Sequence, residues 1–308
     1  MSKLVVTGAA GFIGSHLAEA LLAAGHTVVG VDCFTDYYDP ALKEENAAGL
    51  DVLRLDLAQD DLGPALAGAD GVFHLAGQPG VRSFGDVFGH YLRRNVLASQ
   101  RLFEAAARAG VRVVFASSSS VYGEAERYPT PEETTPRPLS PYGITKLDCE
   151  HLARAYGRSF ELDAVVLRYF NAYGPRQRPD MAFTRIATAL AEGRAFELYG
   201  DGDQSRGFTY VSDVVSATVT AMEGAPTGSL YNVGGGTEAS LNEAITVLER
   251  IAGRSLDVRP APAVPGDQRR TRADTTRIRT ELGWEPRVGL EEGLRAQWRW
   301  ASSRVAAS

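Results

Sequence analysis

Short runs of apolar, mostly β-branched residues alternate with longer stretches whose apolar positions recur every three or four residues over the first 170 positions. The spacing predicts strands at 4–7, 27–31, 52–55, 71–75, 111–116 and 163–168, and helices at 12–24, 86–109 and 142–159. Strands that read as nearly unbroken apolar runs between amphipathic helices are buried on both faces. That is the pattern of an α/β protein with a doubly wound parallel sheet. After residue 170 the pattern changes. Loops rich in Pro, Arg, Gly and Asp at 174–181 and 200–207 separate helices near 183–193, 241–252 and 289–301, and a strand is expected at 230–233. We read residues 1–169 as one domain, with a segment at about 208–234 returning to it, and residues 170–207 and 235–308 as a smaller mixed α/β lobe. No internal repeat is visible.

Bulk properties narrow the function classes. A chain of 308 residues with 44% hydrophobic and 23% charged residues can bury a sizeable core. The formal net charge of −6 and the lack of a dominant basic patch argue against nucleic-acid binding. No apolar stretch is long enough to span a bilayer, and the N-terminus passes directly into the first predicted strand, so no signal peptide is expected. Cys33 and Cys149 form no metal-ligand pattern and point to a reducing compartment, with no metal site expected and a cytoplasmic location as the default.

Gly8, Gly11 and Gly14 stand three apart between the first strand and the first helix. Without Cβ atoms they permit a tight turn and let backbone amides and the helix N-terminus approach a pyrophosphate, as in a Rossmann-type dinucleotide site. Asp32 ends the second strand, where a carboxylate accepts hydrogen bonds from ribose hydroxyls and repels a 2′-phosphate, which favours NAD over NADP. Asp56 can serve an adenine edge or simply cap a turn. Phe12, Ile13, Leu57, Leu75, Ala76, Gly77 and Tyr169 complete the expected cofactor wall, the last at the end of the 163–168 strand. His74 reads as a hydrogen-bonded core histidine.

The run Ser117-Ser118-Ser119-Ser120-Val121-Tyr122-Gly123 precedes Pro141-Tyr142-Gly143-Ile144-Thr145-Lys146. A tyrosine and a lysine four apart share one helix face, and a nearby ammonium favours an ionised phenol. A free phenol titrates near ~10 and is a poor base at neutral pH, so such a pair serves to make one usable.

In order and spacing, these motifs resemble the extended short-chain dehydrogenases that act on nucleotide sugars, the NAD-dependent epimerase/dehydratase group. Residues 167–175 (Leu-Arg-Tyr-Phe-Asn-Ala-Tyr-Gly-Pro) and 200–214 look like that group's substrate-loop and nucleotide-binding segments. The resemblance implies that Tyr142 removes the proton of a sugar 4-hydroxyl while hydride leaves C4 for NAD. It also implies that Lys146 holds the nicotinamide ribose, that Ser118 bonds the same oxygen, and that Asn95 braces the cofactor region or merely supports the fold. Dehydratases of this group carry an acidic pair where Ser119 and Ser120 stand, and nucleotide-glucuronate decarboxylases a glutamate at the position of Ser120. Lacking both, the chain is expected to return hydride to the other face of the keto sugar, which is 4-epimerisation. Residues 174–183, with Asp36-Tyr37-Tyr38-Asp39 and Gln78-Pro79-Gly80-Val81-Arg82, look like UDP-glucuronate 4-epimerases, and Arg178 with Ser119 and Ser120 would meet a C5 carboxylate. Asn171 departs from the threonine common in that subgroup, which leaves UDP-glucose or UDP-N-acetylglucosamine open. Arg185, Arg206 and Arg269 are candidate diphosphate contacts or plain surface charges, and Arg82 is a further substrate candidate. The resemblance also implies a homodimer through the helices at 86–109 and 142–159.

Overall fold

The computed structural model describes residues 1–80, 87–263 and 268–307. Six strands open the chain: β1 (Lys3–Thr7), β2 (Thr27–Asp32), β3 (Val52–Arg54), β4 (Gly71–His74), β5 (Arg112–Ser118) and β6 (Ala164–Tyr169). They form one parallel sheet in the order β3, β2, β1, β4, β5, β6, and the strand Leu230–Val233 adds beyond β6. Burial explains the composition: all six residues of β6, Ala-Val-Val-Leu-Arg-Tyr, are buried, and every side chain but Arg168 is apolar or aromatic. The strand order reverses between β1 and β4, and the carboxyl ends of those neighbours open a crevice there.

Helices cover both faces. The first helix, Phe12–Ala23, and the helix Val211–Gly224 pack on one side with Leu4, Val6, Leu17, Phe73, Val114 and Trp284. On the other side, the helices Ala98–Ala109 and Pro141–Phe160 bury Leu102, Phe103, Cys149 and Ala153 against Val5, Val72 and Phe115. A third core gathers Phe183, Ile186, Leu190, Phe196, Leu248 and Leu294 under the later helices Ala182–Glu192, Leu241–Ala252 and Leu290–Ala307. Small strand pairs flank it, with Phe196–Tyr199 parallel to Val258–Ala261, and Ser205–Gly207 between Glu238–Ser240 and Arg270–Thr271.

One predicted element differs in kind. The stretch 86–109 reads as a single helix, but from Phe88 onward it is an α-turn (Phe88–Tyr91), a π-helix (Leu92–Leu97) and then an α-helix. The π-turn inserts an extra residue per turn, and the buried polar side chain it carries is Asn95. The short helices Pro40–Asn46, Gly63–Leu66 and Thr276–Leu282 have too few turns for periodicity to reveal them.

Candidate active site

A cleft of about 750 Å³ lies across the carboxyl ends of the strands, with Gly8, Asp32, Ser118, Tyr142 and Arg206 among the residues that line it. At one end the first helix starts at Phe12, with Gly11 as its N-cap, no side chain capping it and no carboxylate in its first turn. Its positive dipole end is therefore available to an anion. Gly14 makes that approach possible: a Cβ there would stand 2.1 Å from the carbonyl oxygen of Gly8. Asp32 is held in place because its carboxylate accepts from the backbone N–H of Ala10 (3.2 Å) and of Phe34 (2.8 Å). The Asp56 carboxylate accepts from Ala58 N–H (2.9 Å) and Arg93 (2.8 Å). Burial raises its pKa, but these bonds outweigh that and hold it below the usual range. Phe12, Ile13, Leu57, Leu75, Ala76, Gly77 and Tyr169 line the same wall.

The four serines of the run all border the cleft but differ in their partners. Ser117 donates to buried Glu150 (2.5 Å), which also receives Arg168 Nε (2.9 Å) and Nη2 (2.6 Å). At Ser118 the strand ends and a 3-10 turn, Ser119–Tyr122, begins. The Ser118 hydroxyl accepts from Ser120 N–H (3.1 Å) and donates to Ser120 Oγ (3.1 Å), and Ser118, Ser119 and Ser120 all line the cleft. The helix Pro141–Phe160 opens opposite them, capped by Ser140, whose hydroxyl accepts from Gly143 N–H (3.1 Å). Gly143 lets this helix close on the serine turn, since a Cβ there would meet the Ser120 carbonyl oxygen at 2.5 Å. Tyr142 and Lys146 follow on one face, with Lys146 Nζ 5.9 Å from the Tyr142 ring centroid. That ammonium is only 4% exposed and donates to the Ala116 carbonyl (2.8 Å), which fixes it at the end of β5.

Asn95 does not reach the cleft. Its Oδ1 accepts from Gln78 N–H (2.6 Å), while Nδ2 donates to Gln78 O (3.2 Å) and to Thr145 Oγ1 (2.9 Å). It clamps the loop after β4 to the turn between Tyr142 and Lys146. His74 is a core histidine: Nδ1 bonds Thr7 Oγ1 (2.8 Å) and Nε2 bonds Ser99 Oγ (2.9 Å). Burial first, and Lys146 second, push its pKa down to about 3, so the ring is neutral.

Among the substrate candidates, Ser119, Ser120, Asn171, Arg178, Arg185 and Arg206 line the cleft. Asn171 has φ of +40° and donates to Gly207 O (3.3 Å) and Thr271 Oγ1 (2.6 Å). That left-handed backbone suits asparagine better than a β-branched residue. Arg178 holds Asp180 with two bonds, Nε to Oδ1 at 3.0 Å and Nη2 to Oδ2 at 3.1 Å. Burial works against its charge, and the Asp180 carboxylate overrides that and raises its pKa. Its loop is pinned to the first helix, where His16 Nε2 bonds Pro175 O (2.9 Å) and Arg176 donates to Glu19 (2.7 Å). Arg185 lies over the rings of Phe196 and Tyr199 at 5.0 and 5.3 Å. Arg269 is not brought to the cleft; its side chain is 81% exposed and pairs with Asp201 (3.4 Å). Arg82 lies outside the described residues.

Sequence reasoning assigned no role to several cleft residues, among them Tyr37, Tyr38, Lys43, Gln78, Arg94 and Gln177. Lys43 is the least foreseeable: an ordinary-looking charge on a short helix, it is buried and donates to Thr35 O (2.8 Å) and Oγ1 (2.9 Å). Burial lowers its pKa against the pull of Asp32. Tyr37 and Tyr38 sit within the motif after β2, and that motif was the available signal. Among the described residues no cluster of three or more His, Cys, Asp or Glu is placed to hold a metal, and no helix is long and apolar enough to cross a membrane.

A model of the NAD dependent epimerase/dehydratase family matches residues 4–234. A UDP-glucuronic acid 4-epimerase from Bacillus cereus, solved with UDP-glucuronic acid and NAD, is 41% identical with a TM-score of 0.95 over 98% of this chain and 99% of that one. MoeE5, solved with NAD and UDP-glucuronic acid, is 44% identical with a TM-score of 0.89, covering 99% of each chain. MoeE5 has also been solved with UDP-glucose and NAD. A Bacillus subtilis (strain 168) protein described as an uncharacterized UDP-glucose epimerase, YtcB, is 41% identical over 98% of each chain.

Proposed function

Because this chain belongs to the NAD-dependent epimerase/dehydratase family, we propose that it epimerises a UDP-hexose at C4 through a 4-keto intermediate, converting UDP-glucuronate to UDP-galacturonate. The observation that carries this reading is the serine turn. Ser118, Ser119 and Ser120 face Tyr142 and Lys146 across one cleft, with no carboxylate at the positions from which an acid would expel water or assist loss of carbon dioxide.

The uncapped first helix, the glycine turn and Asp32 fit NAD: amides for a pyrophosphate and a carboxylate for ribose hydroxyls. NAD, when bound, supplies a hydride acceptor that regenerates within each turnover. The protein's part is acid–base and positional. The Tyr142 phenolate takes the proton of the 4-hydroxyl, and Ser118, with its hydroxyl already in a chain to Ser120, bonds the same oxygen. Lys146 holds positive charge beside the phenol from its anchor on Ala116 O. Asn95 acts at one remove by fixing the loop at Gln78 and the turn at Thr145. Ser119 and Ser120 offer hydroxyls to the substituent at C5, where a solvated carboxylate is kept from leaving as carbon dioxide. Arg185 and Arg206, which also line the cleft, are assigned to the diphosphate, whose firm binding lets the keto sugar turn over between proton removal and return.

A neutral UDP-hexose is the second reading, and two observations favour it: Arg178 is already paired with Asp180, and the Asn171 amide already donates to protein acceptors. We further infer a cytoplasmic homodimer. Free Cys33 and Cys149 suit a reducing compartment, and cell fractionation checks it. Exposed Leu92, Leu97 and Ile144 lie on neighbouring helices able to form a four-helix contact.

Incubation with UDP-glucuronate and with UDP-glucose, followed by proton NMR, tests the function. The expected product is the C4 epimer of at least one of them, with turnover lost by about 10²–10⁴-fold in Tyr142→Phe while the variant still binds NAD. No epimer from either sugar, or undiminished turnover in the variant, refutes the reading.

A further inference from the structure

The substrate loop contains its own carboxylate. Arg178 and Asp180, two residues apart, form a parallel two-bond pair at 3.0 and 3.1 Å, the arrangement by which a guanidinium binds any carboxylate. The pair is not a stray surface contact. Both residues line the cleft with Ser119, Ser120 and Tyr142, and the Arg178 side chain is four-fifths buried. From the loop after β2, Tyr37 donates its hydroxyl to Asp180 Oδ2 (3.4 Å), and Arg178 lies 5.8 Å from the Tyr37 ring. Asp180 is thus held from two sides, while its own side chain remains 44% accessible.

We propose that Asp180 is a specificity-determining residue: its carboxylate occupies Arg178 as a substrate carboxylate would, and the exchange between them sets the preference between a uronate and a neutral UDP-hexose. The inference rests on the epimerase reading for the identity of the competing ligands. A uronate entering this cleft meets Arg178 already bonded. Either Arg178 leaves Asp180, which strands one carboxylate beside another, or the uronate binds next to an intact ion pair and gains little from it. In both cases Asp180 weakens uronate binding, whereas a hexose with a neutral hydroxymethyl group at C5 pays no such penalty. Removing the charge while keeping the shape therefore releases Arg178 for the substrate.

The test compares wild type with Asp180→Asn and Asp180→Ala, reading kcat/KM for UDP-glucuronate and UDP-glucose and the Kd of each sugar nucleotide by calorimetry. The expected result is a rise of about tenfold in the UDP-glucuronate to UDP-glucose ratio in both variants, equivalent to ~1.4 kcal/mol. It should be carried by KM and Kd and not by kcat. On an Arg178→Met background, Asp180→Asn should leave the ratio where Arg178→Met set it, because the charge has no guanidinium to release. A ratio within twofold of wild type in both Asp180 variants overturns the proposal. So does an equal shift on the Arg178→Met background, which would mean simple repulsion without exchange. The calorimetric arm separates the two claims. If the wild type binds both sugar nucleotides and turns over neither, the epimerase reading fails while the Kd ratio still judges Asp180; if it binds neither, both fail.

Discussion

At the scale of single residues, strand ends and helix starts set where the polar side chains of the cleft stand. Gly14, Asp32, Tyr142 and Lys146 occupy the expected wall because strand ends and helix starts fix them. Asn171 looked like a donor to substrate; its amide donates instead to Gly207 O and Thr271 Oγ1, partners 36 and 100 residues away in sequence that no local pattern announces. His74 was readable as a core residue, but the size of its pKa shift was not, since that follows from burial beside Lys146. The shift has a sign. The unfolded chain binds a proton at this ring below its ordinary value of 6.5, and the folded protein only near about 3. Stability from this group is therefore complete above pH 6.5 and is lost progressively as pH falls toward 3, at roughly 1.4 kcal/mol per pH unit inside that window. Thermal melts at pH 7 and pH 5 should show the wild type losing about 2 kcal/mol from this source. His74→Gln, which keeps hydrogen-bonding capacity without the titration, should have a flatter profile. Parallel profiles would show that His74 is not the group responsible.

At the scale of elements, β6 and the helix Pro141–Phe160 are joined beneath the serine turn by a buried ion pair. Arg168 of β6 and Glu150 of the helix have side chains only 5% and 6% exposed, and Ser117 shares the carboxylate. Arg168 also stacks 4.6 Å from the Tyr122 ring, whose hydroxyl donates to Asn232 on the added strand (2.7 Å). Arg168→Met should cost about 3–5 kcal/mol because it leaves Glu150 buried and unpaired, and the double change Glu150→Met with Arg168→Met should recover much of it. Urea midpoints measure both; a loss below about 1 kcal/mol for the single variant would mean the pair is dispensable. The periodic elements were readable because their faces pack on a sheet. The π-turn at Leu92–Leu97 was not, because an inserted residue leaves the apolar spacing looking helical, and the bonds Asn95 makes from it to Gln78 and Thr145 span 17 and 50 residues.

At the scale of the whole molecule, the parallel sheet and its two helical layers were legible in the alternation of apolar runs. The small strand pairs of the later part were not: strands of two to four residues such as Arg270–Thr271 owe their existence to partners brought close by the rest of the fold. The paired helices with exposed Leu92, Leu97 and Ile144 predict a dimer, and light scattering at micromolar concentration should return about twice the mass of one chain; a monomer mass refutes it. The anchoring of the 174–178 loop has a mechanical consequence. His16 and Glu19 fasten that loop to the helix whose N-terminus faces the dinucleotide end, so the two behave as one part. Arg185 and Arg206 belong to other elements. A substitution that frees Pro175 or Arg176 from the first helix therefore loosens two stretches of chain about 160 residues apart at once, and not the loop alone.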